Sequence, residues 1–440
     1  MAASDGFPTL TRRPTLALAT LCLLYGAQGM PDGFVRIGLK TFLVDRGASD
    51  AEIGPLLAMI SWPWAVKWVW GPVIDRFSNS AMGRRRPWVL LAQAGMVLVL
   101  AGTALLGDVS ERIKLLGVMI LLVNVFAALQ DVAVDALAID VLPPEKRGLA
   151  NGLMQGAMFV GSFIGGRVLG GLLLTYGLNA AIAAEVAILL GVMSVPFLLR
   201  ERPGDRLVSV RQVQRDGPAS AGGVWGRLRQ AFGVRSSQWA AALALSSLLA
   251  YGAYVVFWPA YLQRTLGWSG EEVQQLEATF ALGFGLTGSV LGGVLGSLVG
   301  TRRMTAIASL LLIGVWFGHW LADWSSRPLV VGLFVAQSFC VGLLRVAMFS
   351  LFMNLVWSAV AGTQFSAYMA LLNLSQGLGS KFAGVLTETF SVRQAFLVLA
   401  AVQAVPLLLL LGIDESQTRR ELGDGNGDDG NDDAPTTPDE

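Results

Sequence analysis

The sequence is short of charge. Asp, Glu, Lys and Arg make up 14% of its 440 residues, against roughly 25% in an ordinary water-soluble protein. Cysteine is scarcer still. Cys22 and Cys340 both fall inside apolar runs and read as small packing residues, which excludes a disulfide framework or a thiolate metal site. The single histidine, His319, stands beside Trp320 near the end of such a run, and one histidine cannot build a metal site. No nucleophile–histidine pair, metal cluster or loop-borne acid pair supports an enzyme, and no cofactor is implied. A phosphate-binding GKS/T loop is missing, so ATP hydrolysis is not the expected energy source. Net charge is +1, which gives no global field for nucleic acid. A cleavable leader is not expected either: the first apolar run is too long, lacks a small-residue cleavage site and should stay as a span.

What is abundant is hydrocarbon. Hydrophobic residues make up 54% of the chain, with 52 glycines among the remainder. Apolar runs of about 20 residues recur along the whole length, each long enough to cross a bilayer as a helix. They are continuous rather than alternating, which excludes a transmembrane β-barrel. The expectation is an all-α, polytopic membrane protein embedded in the lipid bilayer. Twelve spans are placed at 15–43, 51–73, 87–107, 115–137, 148–174, 178–199, 239–263, 273–299, 304–322, 328–356, 365–389 and 392–412. They form two six-helix halves, 1–199 and 239–412, joined by a loop over 200–238 rich in Arg, Gly and Ser. The tail, 413–440, is acidic and Gly-rich without apolar periodicity, and is expected to be disordered.

Orientation follows from the basic residues. One set of loops holds Arg12, Arg13, Arg76, Arg84 to Arg86, Lys146, Arg147, the arginines from Arg200 to Arg235, Arg302, Arg303, Arg419 and Arg420. The opposite set holds only Arg46, Arg112, Lys114, Arg264, Arg327 and Arg393, so 20 basic residues face 6. Both termini are therefore expected in the cytoplasm, and this topology accounts for the basic central loop without a nucleic-acid partner.

The loop after the second span is specific. "GPVIDRF" followed by "GRRR" places Gly71, Asp75, Arg76, Gly83 and Arg84 in an arrangement that resembles the G-x-x-x-D-R-x-G-R-R signature of the major facilitator superfamily, with "SNSAM" inserted in its middle. Glycine allows a close helix approach. Asp75 can accept bonds from a facing helix N-terminus, and the arginines can grip carboxylates. "DVLPPEKRG" adds Asp140 and Arg147 after the fourth span, and "GTRR" (Gly300 to Arg303) is a weaker echo in the second half. The resemblance implies a major facilitator fold whose cytoplasmic latches hold one conformation shut. Lys67 to Arg76, "KWVWGPVIDR", is similar to the K-F-L-W-x-P-L-x-D-R segment of the AmpG muropeptide permease and acetyl-coenzyme-A transporter group. The match continues through Gly83 to Trp88, Gln130, Asp131, Asp135 and Asp140 to Pro143, roughly the second to fifth spans. Two segments depart from family patterns. Gly29 to Lys40 is more charged than muropeptide permeases imply, and Gly166 stands where an antiporter motif has proline.

Ionisable groups at bilayer depth are costly and need a reason. In the first span Tyr25, Gln28, Asp32 and Arg36 fall within roughly 80° of one another. In the fourth, Asn124, Asp131 and Asp135 share a face within roughly 40°. The seventh carries an aromatic stripe, Tyr251, Tyr254, Trp258 and Tyr261, and the tenth pairs Ser338 with Arg345 on one face. The resemblance implies that these four spans line a central cavity. Several of these residues have a second reading. Asp32 with Arg36, and Lys381 with Glu388, can be internal ion pairs; Lys40, Asp140 and Glu277 can serve as span-end caps; the aromatic stripe can face lipid. Asp131 and Asp135 repel each other if both ionise, so one must hold a proton or have a basic partner. Lys67 either snorkels to the surface among Trp62, Trp64, Trp68 and Trp70, or, as the resemblance favours, faces the acids of the fourth span or an anionic substrate. The resulting expectation is a secondary active transporter, coupled to protons, for an anionic or zwitterionic amphiphilic small molecule such as a muropeptide or siderophore in the inner membrane. The alternative is a non-transporting assembly or receptor-like protein on the same fold.

Overall fold

The computed structural model describes residues 8–46, 56, 59–60, 62–64, 66–106, 112–209, 211, 223–269, 272–273, 276 and 282–423. Helix is the dominant secondary structure, and no strand occurs among the described residues. The principal helices are α1 (Pro14–Gly33), α2 (Trp70–Arg76), α3 (Arg86–Thr103), α4 (Ile113–Val141), α5 (Pro144–Phe163), α6 (Leu178–Leu198), α7 (Arg235–Ser247), α8 (Leu249–Arg264), α9 (Leu282–Val299), α10 (Thr301–Leu321), α11 (Arg327–Leu355), α12 (Ala361–Thr389) and α13 (Val392–Leu410). Eight helical segments are long and apolar enough to cross a membrane. The anticipated first, second, eighth and eleventh spans are helical over their described parts without meeting that measure.

Local chemistry sets the ends of these helices. Proline opens α1, α3, α5 and α11 in the first turn, where its missing N–H costs nothing. Ser391 and Gln394 form a reciprocal capping box at the start of α13. Within α1, Pro31 removes one intrahelical bond, and the next turn, Phe34–Leu39, relaxes into a π-helix. A second π segment, Ile164–Leu169, follows α5 and packs against the first.

In a bilayer, water does not drive helix pairing, so association rests on close backbone approach. α1 lies on α5 through facing glycines, where a Cβ on Gly161 would stand 1.9 Å from the Gly26 carbonyl oxygen. α3 packs on α4 and α6, while α8 packs on α12 and α10 packs on α11 and α13. The two groups meet where α5 touches α9 and α11, and where α2 and α4 touch α12.

Two boundaries differ from expectation. The central segment contains a helix, Gly223–Gly233, and α7 begins at Arg235 rather than after Gln238. The tail expected to be unstructured from 413 is folded as far as Gly423, with a helix over Gln417–Leu422. The reason is side-chain bonding that composition does not reveal. Gln417 Oε1 accepts from the Ser236 N–H and hydroxyl at 3.0 and 2.6 Å, and Glu415 accepts from Thr301 and Asn354 at 2.8 and 2.9 Å. Arg420 bonds Asp414 and holds its carboxyl down at about 2. Residues 424–440 and Glu277 lie outside the described residues.

Candidate functional site

The acids of α4 do find partners on α1. Asp131 Oδ2 stands 2.5 Å from Lys67 Nζ, and its Oδ1 accepts from Gln28 Nε2 at 2.6 Å. Tyr25 donates its hydroxyl to Asp135. Gln130 donates to the Leu24 carbonyl at 2.8 Å and pins the two helices together. Two α4 turns away, Asn124 accepts from Trp64 Nε1 at 3.3 Å, and the Trp64 ring lies 5.5 Å from the Lys67 ammonium. The Lys67 and Asp131 side chains are only 14% and 5% exposed, so the pair is largely out of solvent.

The helix geometry explains why these residues meet. Tyr25 and Gln28 are three apart on α1, as are turns of one helix face, and Asp131 and Asp135 are four apart on α4. Packing α1 on α4 brings the two stripes together. Lys67 sits in a short 3-10 turn, Lys67–Val69, that leads into α2. Its ammonium points at Asp131 rather than toward the surface. The expected repulsion of the two acids is met by a basic partner for one and a phenol for the other. A cation, two carboxyls, a phenol and an amide on one side of the molecule can exchange a proton, or can release the lysine to an anion.

Other anticipated residues stand apart from this group. Asp32 and Arg36 form their own ion pair at 2.7 Å, with the Arg36 side chain 44% exposed. On the other half, Arg345 donates to Gln376 at 2.7 Å and lies over the Tyr251 ring at 5.5 Å. Tyr254 and Trp258 do not border open space. Both are buried in an aromatic core with Trp316, His319 and Phe396, because that face of α8 turns toward α10 and α13. Among the described residues no ion pair joins Lys381 to Glu388, and both are exposed.

The face carrying most of the basic loops is tied shut by a second network. Asp75 Oδ1 meets Arg85 Nη1 at 2.6 Å, and its Oδ2 accepts from the N–H and hydroxyl of Thr363 at 2.8 and 2.7 Å. Thr363 is in the first turn of α12, so the carboxylate sits on a helix N-terminus of the opposite half. Arg85 also bonds Asp140 at 3.0 Å, and Arg84 reaches the Ser358 carbonyl at 3.0 Å. Burial lowers the Arg84 guanidinium from its ordinary range, while Asp140 opposes that shift. Arg147 donates to the Met353 carbonyl at 2.6 Å and to Ile139 at 2.8 Å. Gly71 lets α2 touch α12, since a Cβ there would lie 2.6 Å from Thr363 Cα. Gly83 takes φ +121°, a left-handed conformation that suits glycine, beside Glu201.

Arg76 is the exception. It is exposed and lies over the Phe77 ring at 5.8 Å, leaving Arg85 to make the buried contact expected of it. Sequence reading also missed Thr363 and Glu201. The first sits in the other half and no local motif marks it. The second accepts from the backbone N–H groups of Arg85 and Arg86 at 2.8 and 3.1 Å.

Comparison with known proteins agrees with this architecture. The Major Facilitator Superfamily model matches residues 21–251 and 240–427. The anhydromuropeptide permease of Escherichia coli strain K12 is 25% identical over 412 residues, covering 89% of this chain and 79% of its own. An uncharacterized protein of Haemophilus influenzae is 29% identical over 147 residues, 33% of this chain and 34% of its own. Among solved structures, the E. coli fucose:proton symporter superposes with a TM-score of 0.65 at 15% identity, covering 90% of this chain and 97% of that one. The human organic anion transporter MFSD10 gives 0.59 at 18%, covering 92% and 100%. At those identities the two structures speak for the fold alone. The chain belongs to the Major Facilitator Superfamily, as a multi-pass membrane transporter of small molecules rather than an enzyme, and within it groups with the anhydromuropeptide permease.

Proposed function

We propose that the protein is a proton-coupled importer of an anionic or zwitterionic amphiphilic solute of the muropeptide class, in the inner membrane with both termini cytoplasmic. The buried Lys67–Asp131 pair is the observation that supports this reading most. An ion pair removed from water is retained only where something compensates its desolvation, and exchange of partners does so in a transporter. In the proposed cycle a substrate anion takes Lys67, and Asp131 or Asp135 takes a proton in its place. Tyr25, Gln28 and Asn124 hold the acids in register. Arg345 and Tyr251 supply a cation and a ring from the second half, while Asp32 and Arg36 flank the route. The relative's name, anhydromuropeptide permease, supports the substrate class. The excess of basic residues on one set of loops supports the orientation.

Asp75, Arg85, Asp140, Arg84 and Arg147 are assigned to a latch on the cytoplasmic side, closed in this conformation and opened when the halves rock apart. Proteoliposomes given an inside-alkaline pH gradient test the whole reading, with a labelled anhydromuropeptide as probe. Uphill accumulation is expected in the wild type. Asp131→Asn or Asp135→Asn should abolish that accumulation while exchange of the probe across the membrane persists. Uphill uptake surviving in both variants would make the acids structural, and absence of any saturable uptake would remove the substrate class.

A further inference from the structure

Glu185 takes no part in the cluster above, yet it is the most isolated acid of the described chain. It lies mid-helix in α6, with 0% of its surface exposed, and neither carboxyl oxygen has a hydrogen-bond partner. It borders a narrow chamber of about 30 Å³ walled mainly by Pro31, Phe34, Val35, Leu100, Ile120 and Val123. That volume admits roughly two waters. Asn124 and Thr103 are the other polar side chains on the wall.

Among the described residues no charged group pairs with the carboxyl. Elements packed on α6 carry Asp32 (on α1), Arg86 (on α3) and Arg167 (in the second π segment), and each is engaged or turned away. Asp32 pairs with Arg36, Arg86 bonds the carbonyls of Pro196 and Phe197, and Arg167 is exposed. On α4, which also lines the chamber, Asp131 holds Lys67 and Asp135 holds Tyr25. An ionised carboxylate in such a place would be uncompensated. The lining offers too few oxygens for a hard metal cation, which seeks about six.

The wall itself points to movement. Its α1 side is the stretch around Pro31 and the following π segment, where the helix is already irregular. Its α4 side is Asn124, which bonds Trp64, whose ring in turn lies under Lys67. We propose that Glu185 is a second proton-binding site, shut and neutral in this conformation, that exchanges its proton through the chamber when α1 shifts. This rests on the proton-coupled reading of the central cluster and adds to it a site on α6, at a chamber that Asn124 also lines.

The test uses the full-length transporter in liposomes in a Cys22→Ala, Cys340→Ala background, with the hydron as the only ligand. Spin labels at Lys146→Cys and Arg303→Cys, both exposed and on opposite halves, report the latch distance across a pH titration. Infrared difference spectra report protonated carboxyls. The expected result is a protonated-carboxyl band present in the wild type and lost in both Glu185→Gln and Glu185→Leu, with the pH-dependent distance shift lost in the same two variants. A band and a shift that persist in both variants overturn the proposal. If Asp135→Asn removes the shift and Glu185→Gln does not, the central reading stands and this site falls. If the wild type shows no shift with pH, the coupled reading falls and this proposal with it. A shift that follows sodium rather than pH overturns it in favour of a metal cation.

Discussion

At the residue scale, Lys67 decides the electrostatics of the central cluster. Asp131 keeps Gln28 if the lysine is removed, but its charge is then buried with no counterion. Breaking a buried pair by truncating one partner costs about 3–5 kcal/mol, whereas removing both partners can be nearly neutral. Lys67→Met should therefore lower the melting temperature clearly, and Lys67→Met with Asp131→Asn should recover most of the loss. A double-mutant cycle in thermal unfolding reads this coupling. Equal and additive losses would show that the two groups do not interact in the folded protein. The residue types of this cluster were legible in advance, because Tyr25, Gln28, Asp131 and Asp135 stand out as polar groups in apolar helices. The partner of Lys67 was left between those acids and an anionic substrate, because 64 residues separate it from Asp131 and only helix packing brings the two together.

At the scale of the element, the α1–α5 contact is the one most sensitive to a single methyl group. Alanine at Gly161 would drive its Cβ into the Gly26 carbonyl, and the backbone there has no flexible side chain to yield. Overpacking of this kind costs typically about 1–3 kcal/mol. Gly161→Ala should lower the unfolding temperature, while Gly171→Ala, with no atom near the added Cβ, should leave it unchanged or slightly raised. Differential scanning fluorimetry of the two variants separates contact from helix propensity. Helix positions themselves followed from apolar run length. The two π segments did not, because an i→i+5 turn needs no particular residue and arises where Pro31 and close glycine packing displace the backbone.

For the whole molecule, the halves are joined at the basic face by charge and helix ends as well as by apolar packing. Asp75 is central, since it serves Arg85 and the α12 N-terminus together. Asp75→Asn retains shape and bonding capacity but weakens a charge-assisted contact by about 1–2 kcal/mol. Near-normal insertion is expected, with roughly a tenfold shift of population toward the opened latch. The Lys146–Arg303 label distance measures it, and an unchanged distribution would remove Asp75 from the latch. Orientation has its own check. A cysteine at Ser78 should resist a membrane-impermeant thiol reagent in intact cells, while one at Ser325 should react. The opposite pattern would invert the topology.

The sequence by itself determined the solvent and the class of fold, because both depend on quantities summed along the chain: scarcity of charge and the length of apolar runs. It also marked the signature loop, whose glycine, acid and arginines lie within a few residues of one another. Only the tertiary structure decided which arginine joins Asp75, where the tail docks, that Tyr254 and Trp258 pack into a core, and that Glu185 is alone. Those outcomes depend on which helix faces meet across long separations, and a side chain's partner there is set by packing geometry that no local pattern encodes.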